Sequence, residues 1–233
     1  MWLISGNPQD PPKTDSMELP AEETMFIAGP AGGLEAKARL LPGGIAARGA
    51  AVLFHPHPLY GGTFDNKVLY RLARRLAADA EHPSLRINFR GAGRSEGVHD
   101  EGRGEILDAR AALDAAAAQF PGKALTAIGY SFGAIVGLDA ALAHPRVERL
   151  VAIGLPLAPP WDAGFLAETE KPRHLVQGEL DEFGDASTLE RFAESLTGPV
   201  TLHIIPGASH LFPGQEDEAV DAVVRAVVAD RRS

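Results

Sequence analysis

The sequence predicts an α/β fold: a mostly parallel sheet of about eight strands with helices on both faces and no large cap domain. Three observations carry this expectation. Short apolar runs alternate with segments of helical periodicity along most of the chain, which is the pattern of β-α-β units. The run at 50–54 is continuously apolar, as a central strand covered on both faces must be. The apolar run at 124–128 passes through Gly129-Tyr130-Ser131-Phe132-Gly133 into a proline-free stretch, 134–142, rich in Ala, Leu, Ile and Val. That stretch reads as strand, tight turn, helix. A serine on such a turn, with glycines two residues away on either side, is presented at the carboxyl edge of the sheet. It stands over a helix N-terminus whose free N–H groups can receive developing negative charge.

Taken in order, residues 1–23 are rich in Pro, Asp and Glu and read as a poorly ordered tail ahead of one domain spanning 24–233. Residues 24–28 and 34–41 flank a Gly-Pro-Ala-Gly-Gly turn. Leu34, Ala36, Ala38 and Leu40 alternate with Glu35, Lys37 and Arg39, which fits a half-exposed antiparallel hairpin. The strand at 50–54 runs into His55-Pro56-His57-Pro58-Leu59-Tyr60-Gly61-Gly62, and a helix over 65–78 follows, with Val68, Leu69, Leu72 and Leu76 at helical spacing. A strand over 84–89 leads into Arg90-Gly91-Ala92-Gly93-Arg94-Ser95. Residues 104–120 form an Ala-rich helix with Ile106, Leu107, Ala111 and Leu113 on its apolar side. Strands over 147–157 and 174–177 are separated by only about fifteen residues, too few for a large helical lid. A helix over 185–196 follows, with Ser187 or Thr188 near its start, then a last strand over 200–205. A closing helix over 216–231 carries acids in its first turn and arginines near its end, as the helix dipole favours.

Composition narrows the function. The chain has 233 residues, 45% hydrophobic and 23% charged, with a formal net charge of −9 and no cysteine. No basic stripe is present to neutralise phosphates, which argues against nucleic acid, and the charge argues against an anionic membrane surface. Disulfides, thiolate metal sites and a cysteine nucleophile are excluded. The N-terminus lacks a basic leader and no stretch approaches the roughly 20 apolar residues of a spanning helix. A cytoplasmic protein is expected, with a homodimer as a reasonable guess.

Gly-x-Ser-x-Gly alone is a weak signal, and the chain holds a second match, Gly93-Arg94-Ser95-Glu96-Gly97. Context separates them. Ser95 is followed by Gly97, His99, Asp100, Gly102 and Gly104, which is loop chemistry, whereas Ser131 lies between strand and helix. Asp181 and His210 also follow expected strands. Loops after parallel strands emerge at one edge of the sheet, so three residues distant in sequence are brought to one edge. The bland reading of Asp181 is a solvated acidic turn, in which Glu179, Glu182 or Asp185 compete for its role. Of the eight histidines, His82, His99 and His144 lie in loops or beside prolines, and His174 and His203 belong to strands. His210 alone lies past the last strand in a small-residue turn.

The order Ser, Asp, His is that of the α/β-hydrolase triad, and the chain resembles an α/β-hydrolase fold serine hydrolase. Within that fold it is similar to a lidless bacterial group with an HPHPLYGG stretch, related to dienelactone hydrolases and prolyl-oligopeptidase-type hydrolases. The residues that carry the resemblance are 55–62, 65–68, 88–95, 129–133, 178–181 and 207–210. Asn88 departs from the pattern, in which many relatives have Asp before Arg-Gly, a position that is usually structural. The resemblance implies Ser131, Asp181 and His210 as catalytic residues. One oxyanion donor should be the N–H of Phe132, the residue after the nucleophile. Similarity of residues 55–58 to the His-Gly-x-Pro pattern of that group makes the His57 N–H the other, with Leu59 next, because Pro56 and Pro58 have no N–H to give.

The expected chemistry is acyl transfer to water: cleavage of an ester, thioester, lactone or amide of a small substrate through an acyl-enzyme, with no metal and no organic cofactor. His55 and His57 do not make a complete zinc site, since a third ligand is wanting nearby. The substrate pocket is expected to be open or shallow, edged by Leu59, Tyr60, Phe132, Trp161 and Phe212. An acyltransferase on the same triad and a non-catalytic binding module that kept the fold are the alternatives.

Overall fold

The computed structural model describes residues 22–43 and 45–229. The tail expected over 1–23 lies outside them except at Glu22 and Glu23, which begin the first strand. The strands are β1 (Glu22–Gly29), β2 (Gly32–Arg39), β3 (Ala50–Phe54), β4 (Ser84–Ile87), β5 (Leu125–Tyr130), β6 (Val147–Ile153), β7 (Arg173–Gly178) and β8 (Val200–Ile205). The helices are α1 (Lys67–Asp79), α2 (Arg103–Gln119), α3 (Phe132–Leu142), α4 (Ala186–Glu194) and α5 (Glu216–Ala229). All eight strands form one sheet in the order β1-β2-β4-β3-β5-β6-β7-β8. The pairings of β2 with β1 and with β4 are antiparallel, and the rest are parallel.

The buried run at β3 shows why a parallel centre needs no polar alternation. Ala50, Val52 and Phe54 pack with α2 and α3 on one face, while Ala51 and Leu53 pack with α1 and α5 on the other. Helix α1 starts where Asn66 caps it, its Oδ1 accepting from the N–H groups of Val68 and Leu69 at 3.0 and 3.4 Å. It then buries Val68, Leu69, Leu72, Ala73, Leu76 and Ala77 on one stripe. Arg71 and Arg75 reach across to Asp217 and Asp221 of α5 at 3.0 and 2.8 Å, so the two helices on that face are tied along their exposed rims. Helix α4 is capped by Asp185, which accepts from the Thr188 N–H at 2.8 Å, rather than by Ser187 or Thr188 themselves. Between β6 and β7 the chain forms only a short 3-10 turn, Gly164–Glu168, and no lid. Among the described residues, no helix is long and apolar enough to cross a membrane.

Two expectations about exposure are corrected. The β1–β2 hairpin is not half-exposed along β2, because β2 is an interior strand paired on both sides, and Glu35 and Arg39 are buried with their partners. Burial pushes the Glu35 carboxyl up, but hydrogen bonds from the Arg94 N–H and guanidinium and from Asn88 outweigh it and hold the group below its ordinary value. On helix α2 Leu113 is buried and Ile106 packs on the core as expected, but one apolar residue and two acids exchange places. Leu107 is exposed, while Glu105 and Asp108 are fully buried. Asp108 holds Arg90 in a two-pronged pair at 2.7 and 2.9 Å and accepts the Arg90 N–H as well. Glu105 accepts the N–H groups of Asp100 and Gly102, both at 2.9 Å. Buried carboxylates whose lone pairs are filled by loop donors can occupy the place of apolar residues.

Candidate active site

The site is built on the elbow between β5 and α3. Ser131 has φ 53° and ψ −116°, outside the regions a non-glycine residue prefers. The turn is held in that shape from both sides by close approach. A Cβ on Gly129 would stand 2.2 Å from the Gly133 carbonyl oxygen, and one on Gly133 would stand 2.3 Å from the Phe54 carbonyl oxygen. The second contact presses the loop after β3 against the elbow.

His210 arrives from the turn after β8. Its Nε2 lies 2.8 Å from Ser131 Oγ, and its Nδ1 lies 2.8 Å from Asp181 Oδ2 in the turn after β7. Asp181 and His210 are both buried. Nδ1 keeps its proton and donates it in a hydrogen bond to the carboxylate, which leaves Nε2 as the acceptor toward the serine hydroxyl. Asp181 Oδ1 accepts the Phe183 N–H at 2.9 Å. The backbone carbonyl of His210 accepts from the Tyr130 hydroxyl at 3.0 Å. Burial, with Asp181 nearby, pushes the Tyr130 phenol well above its ordinary range, so it serves as a neutral donor. Of the acids in the turn, Asp185 caps α4 and Glu179 accepts the Gly207 N–H at 2.7 Å, while Glu182 accepts the His210 N–H at 3.3 Å.

Gln177 was not foreseen from the sequence. Fully buried at the end of β7, it accepts the Leu155 N–H at 2.8 Å and donates toward Asp181 Oδ2 at 3.0 Å and the Gly184 carbonyl at 2.7 Å. It therefore donates to the same carboxylate oxygen that faces His210 and holds it in place. Its only sequence signal is a polar residue at the end of the strand, just ahead of the Gly178–Asp181 turn.

The loop after β3 contributes amides. Pro56 and Pro58 have none, and the N–H of Leu59 donates to His57 Nδ1 at 3.3 Å. Those of Tyr60 and Gly62 both donate to the His57 carbonyl, and that of Gly61 to the Pro58 carbonyl. Among the described residues, the His57 N–H of this loop has no protein acceptor. Phe132, at the first position of α3, likewise has no intrahelical acceptor for its N–H. The loop hangs on His55, which is completely buried; its Nε2 accepts the Phe89 N–H at 3.0 Å and its Nδ1 donates to the Pro56 carbonyl. Both ring nitrogens are thus engaged, and His55 has no lone pair to offer a metal. Burial drives its pKa down to about 4.

This gives a prediction for acid stability. Folded His55 gains its proton only near pH 4, whereas in the unfolded chain it does so near 6.5. Between those values the unfolded state binds more protons, so stability falls as the pH drops through that window. Burial also lowers His57, His144 and His203, which act in the same direction. From His55 alone, urea unfolding at pH 5 should yield about 2 kcal/mol less stability than at pH 7. A flat profile across that range would contradict the neutral, buried imidazole.

Beside Ser131 opens a cavity of about 340 Å³. One wall is aromatic, made by His57, Tyr60, Phe132 and Trp161, with the Phe132 and Trp161 ring centroids 5.7 Å apart and His57 4.8 Å from Phe132. Glu182, Phe183 and Leu211 also line the cavity. Two expected pocket residues are misplaced. Phe212 is fully buried in the core beneath the sheet, its ring 6.2 Å from Tyr130. At φ 52° the backbone there turns the side chain inward and leaves Leu211 to face the pocket. Leu59 is 67% exposed and does not line the cavity, because its backbone folds back onto the His57 ring.

The second Gly-x-Ser-x-Gly match is structural. Ser95 is buried; its Oγ accepts the Glu35 N–H at 2.9 Å and donates to the Asn88 carbonyl at 2.7 Å. Asn88 in turn accepts the Phe64 N–H at 2.8 Å and donates to Glu35 at 3.0 Å. Ser95→Ala should cost about 1–3 kcal/mol in chemical denaturation, since two buried backbone groups lose their partner. It should leave labelling of Ser131 by a serine-directed probe intact. Loss of labelling with an unchanged denaturation midpoint would reverse that assignment.

A strained serine whose hydroxyl meets a carboxylate-oriented imidazole is the arrangement that makes an alcohol nucleophilic. Comparison with known proteins agrees with the fold around it. The alpha/beta hydrolase fold family matches residues 52–183, and the chain belongs to that family. An uncharacterised protein of Rickettsia prowazekii is 35% identical over 181 residues, covering 74% of this chain and 76% of its own. The crystal structure of an α/β serine hydrolase without a lid from Xanthomonas campestris is 31% identical, with a TM-score of 0.80 over 90% of this chain and 94% of that one. An α/β serine hydrolase homologue from Coxiella burnetii is 33% identical, also with a TM-score of 0.80, over 88% of this chain and 96% of that one. Hydrolase activity is what this membership supports.

Proposed function

We propose that the protein hydrolyses an ester, thioester, lactone or amide of a small substrate through an acyl-enzyme on Ser131. The observation that carries this reading is the continuous relay from Ser131 Oγ through His210 to Asp181, with both contacts at 2.8 Å. Ser131 Oγ attacks the carbonyl carbon as its proton passes to His210 Nε2. The tetrahedral oxyanion is held by the N–H groups of Phe132 and His57, each donor being worth roughly 100- to 1000-fold in rate. Collapse breaks the bond to the leaving group, which takes the proton from His210. Water then repeats the sequence, releasing the acid and restoring the serine. Asp181 keeps the imidazole in the required tautomer and stabilises it when charged. No step calls for a cofactor.

The absence of a lid between β6 and β7 and the modest cavity favour short acyl groups over long lipid chains. Incubation with a fluorophosphonate probe followed by intact-mass measurement tests the nucleophile directly. One adduct is expected, mapping to the peptide that contains Ser131. An unmodified protein would mean that the serine is not activated and would favour the non-catalytic reading.

A further inference from the structure

We infer that Glu182 selects substrates whose leaving group carries a positive charge, an ammonium alcohol or thiol above all. This rests on the hydrolase reading of the same site and goes beyond it by assigning the substrate class. Among the described residues, Glu182 is the one Asp or Glu lining the cavity outside the Ser131–His210–Asp181 relay, and neither Lys nor Arg lines it. Its carboxylate makes no ion pair among the described residues, and it is tethered where it stands by the His210 N–H at 3.3 Å. The neighbouring acids are otherwise engaged, Glu179 by the Gly207 N–H and Asp185 by the cap of α4.

Position settles which part of the substrate feels the charge. His210 Nε2 must face the leaving-group atom, because it delivers that atom its proton. Glu182 lines the same cavity as His210 and accepts its backbone N–H, and we place it on the leaving-group side. The cavity is also lined by the rings of Tyr60, Phe132 and Trp161, and aromatic faces attract cations and tolerate bulky methylated ammonium groups that strongly hydrated sites do not. An anionic leaving group would meet Glu182 with no cation to compensate, on a protein of net charge −9.

A matched pair of thioesters tests this: butyrylthiocholine and its uncharged analogue S-(3,3-dimethylbutyl) thiobutyrate, which differ in one atom and one charge. The chain has no cysteine, so released thiol can be followed colorimetrically without background. The wild type should prefer the cationic thioester about tenfold in kcat/KM at low ionic strength, the combined scale of one exposed charge pair and one cation–π contact. Added salt should shrink that ratio. Glu182→Gln keeps an oxygen to accept the His210 N–H and removes only the charge pair, so it should cut the ratio to about threefold, the share the rings supply; Glu182→Lys should lower it further, to about one or below. A wild-type ratio of one or below, or a preference undiminished in Glu182→Gln, overturns the assignment. Cleavage of neither thioester by a protein that still takes the fluorophosphonate adduct overturns it too, while leaving the Ser131 chemistry standing. Absence of both turnover and adduct removes the hydrolase reading itself.

Discussion

Ser131→Ala should abolish turnover of short acyl esters, with kcat falling on the order of 10⁶-fold. The effect should sit in kcat, because the hydroxyl forms the bond that defines the transition state and contributes little to holding the ground-state substrate. Its one side-chain partner is His210, so the fold loses almost nothing when it goes. Replacement by glycine makes a sharper version of the same test. Ser131 holds φ 53°, a conformation that costs a side chain about 1–3 kcal/mol and costs glycine little. Ser131→Gly should therefore be equally inactive and measurably more stable by thermal melting than Ser131→Ala. Retained turnover in either variant would remove Ser131 from the chemistry. Equal melting temperatures would show that the elbow is not strained.

Asp181→Asn should lower kcat by about 10⁴-fold while changing KM little. The shape of the side chain is kept, but its amide can donate where the carboxylate could only accept. Turned toward His210, that amide would draw the lone pair of Nδ1 and push the imidazole proton to Nε2. A proton there faces the Ser131 hydroxyl, 2.8 Å away, and cannot accept from it. The other carboxylate oxygen accepts the Phe183 N–H, and Gln177 donates to the first, so the surrounding donors are also set for an anion. Steady-state kinetics on a short p-nitrophenyl ester measures the loss. A variant within tenfold of the wild type would mean that another acid in the turn orients His210, and Glu182, already hydrogen-bonded to the His210 backbone, would be the first to examine by the same substitution.

The fold and the reacting groups were legible in the sequence to different depths and for different physical reasons. Parallel strands buried on both faces announce themselves as apolar runs and the β1–β2 hairpin by alternation about a glycine-rich turn, so all eight strands could be placed, and the order of chain elements puts Ser131, Asp181 and His210 at one edge. The ends of strands were harder. Strand β6 stops at Ile153 rather than near Leu157, because Gly154 takes φ 55° beside the His210 ring, and β4 stops at Ile87, past which the Phe89 N–H goes to the His55 ring instead of a neighbouring strand. Those are decisions made by partners dozens of residues away, which a local pattern does not contain.

The same division runs through the site. Residue types that chemistry demands, in a spacing that a parallel sheet converts into proximity, could be named from the sequence alone: the nucleophile turn, the histidine past the last strand, the acid past the strand before it. What those residues rest on could not. Gln177 beside Asp181, Tyr130 under His210, the exclusion of Phe212 from the pocket in favour of Leu211, and the burial of Glu105 and Asp108 on a helix whose Leu107 faces water all depend on which backbone donors and acceptors the packed chain leaves unfilled. Hydrophobic periodicity reports how much of an element is buried. Only the tertiary structure decides which polar groups are buried with it, because the cost of burying each one is cancelled by a partner that lies elsewhere in the sequence.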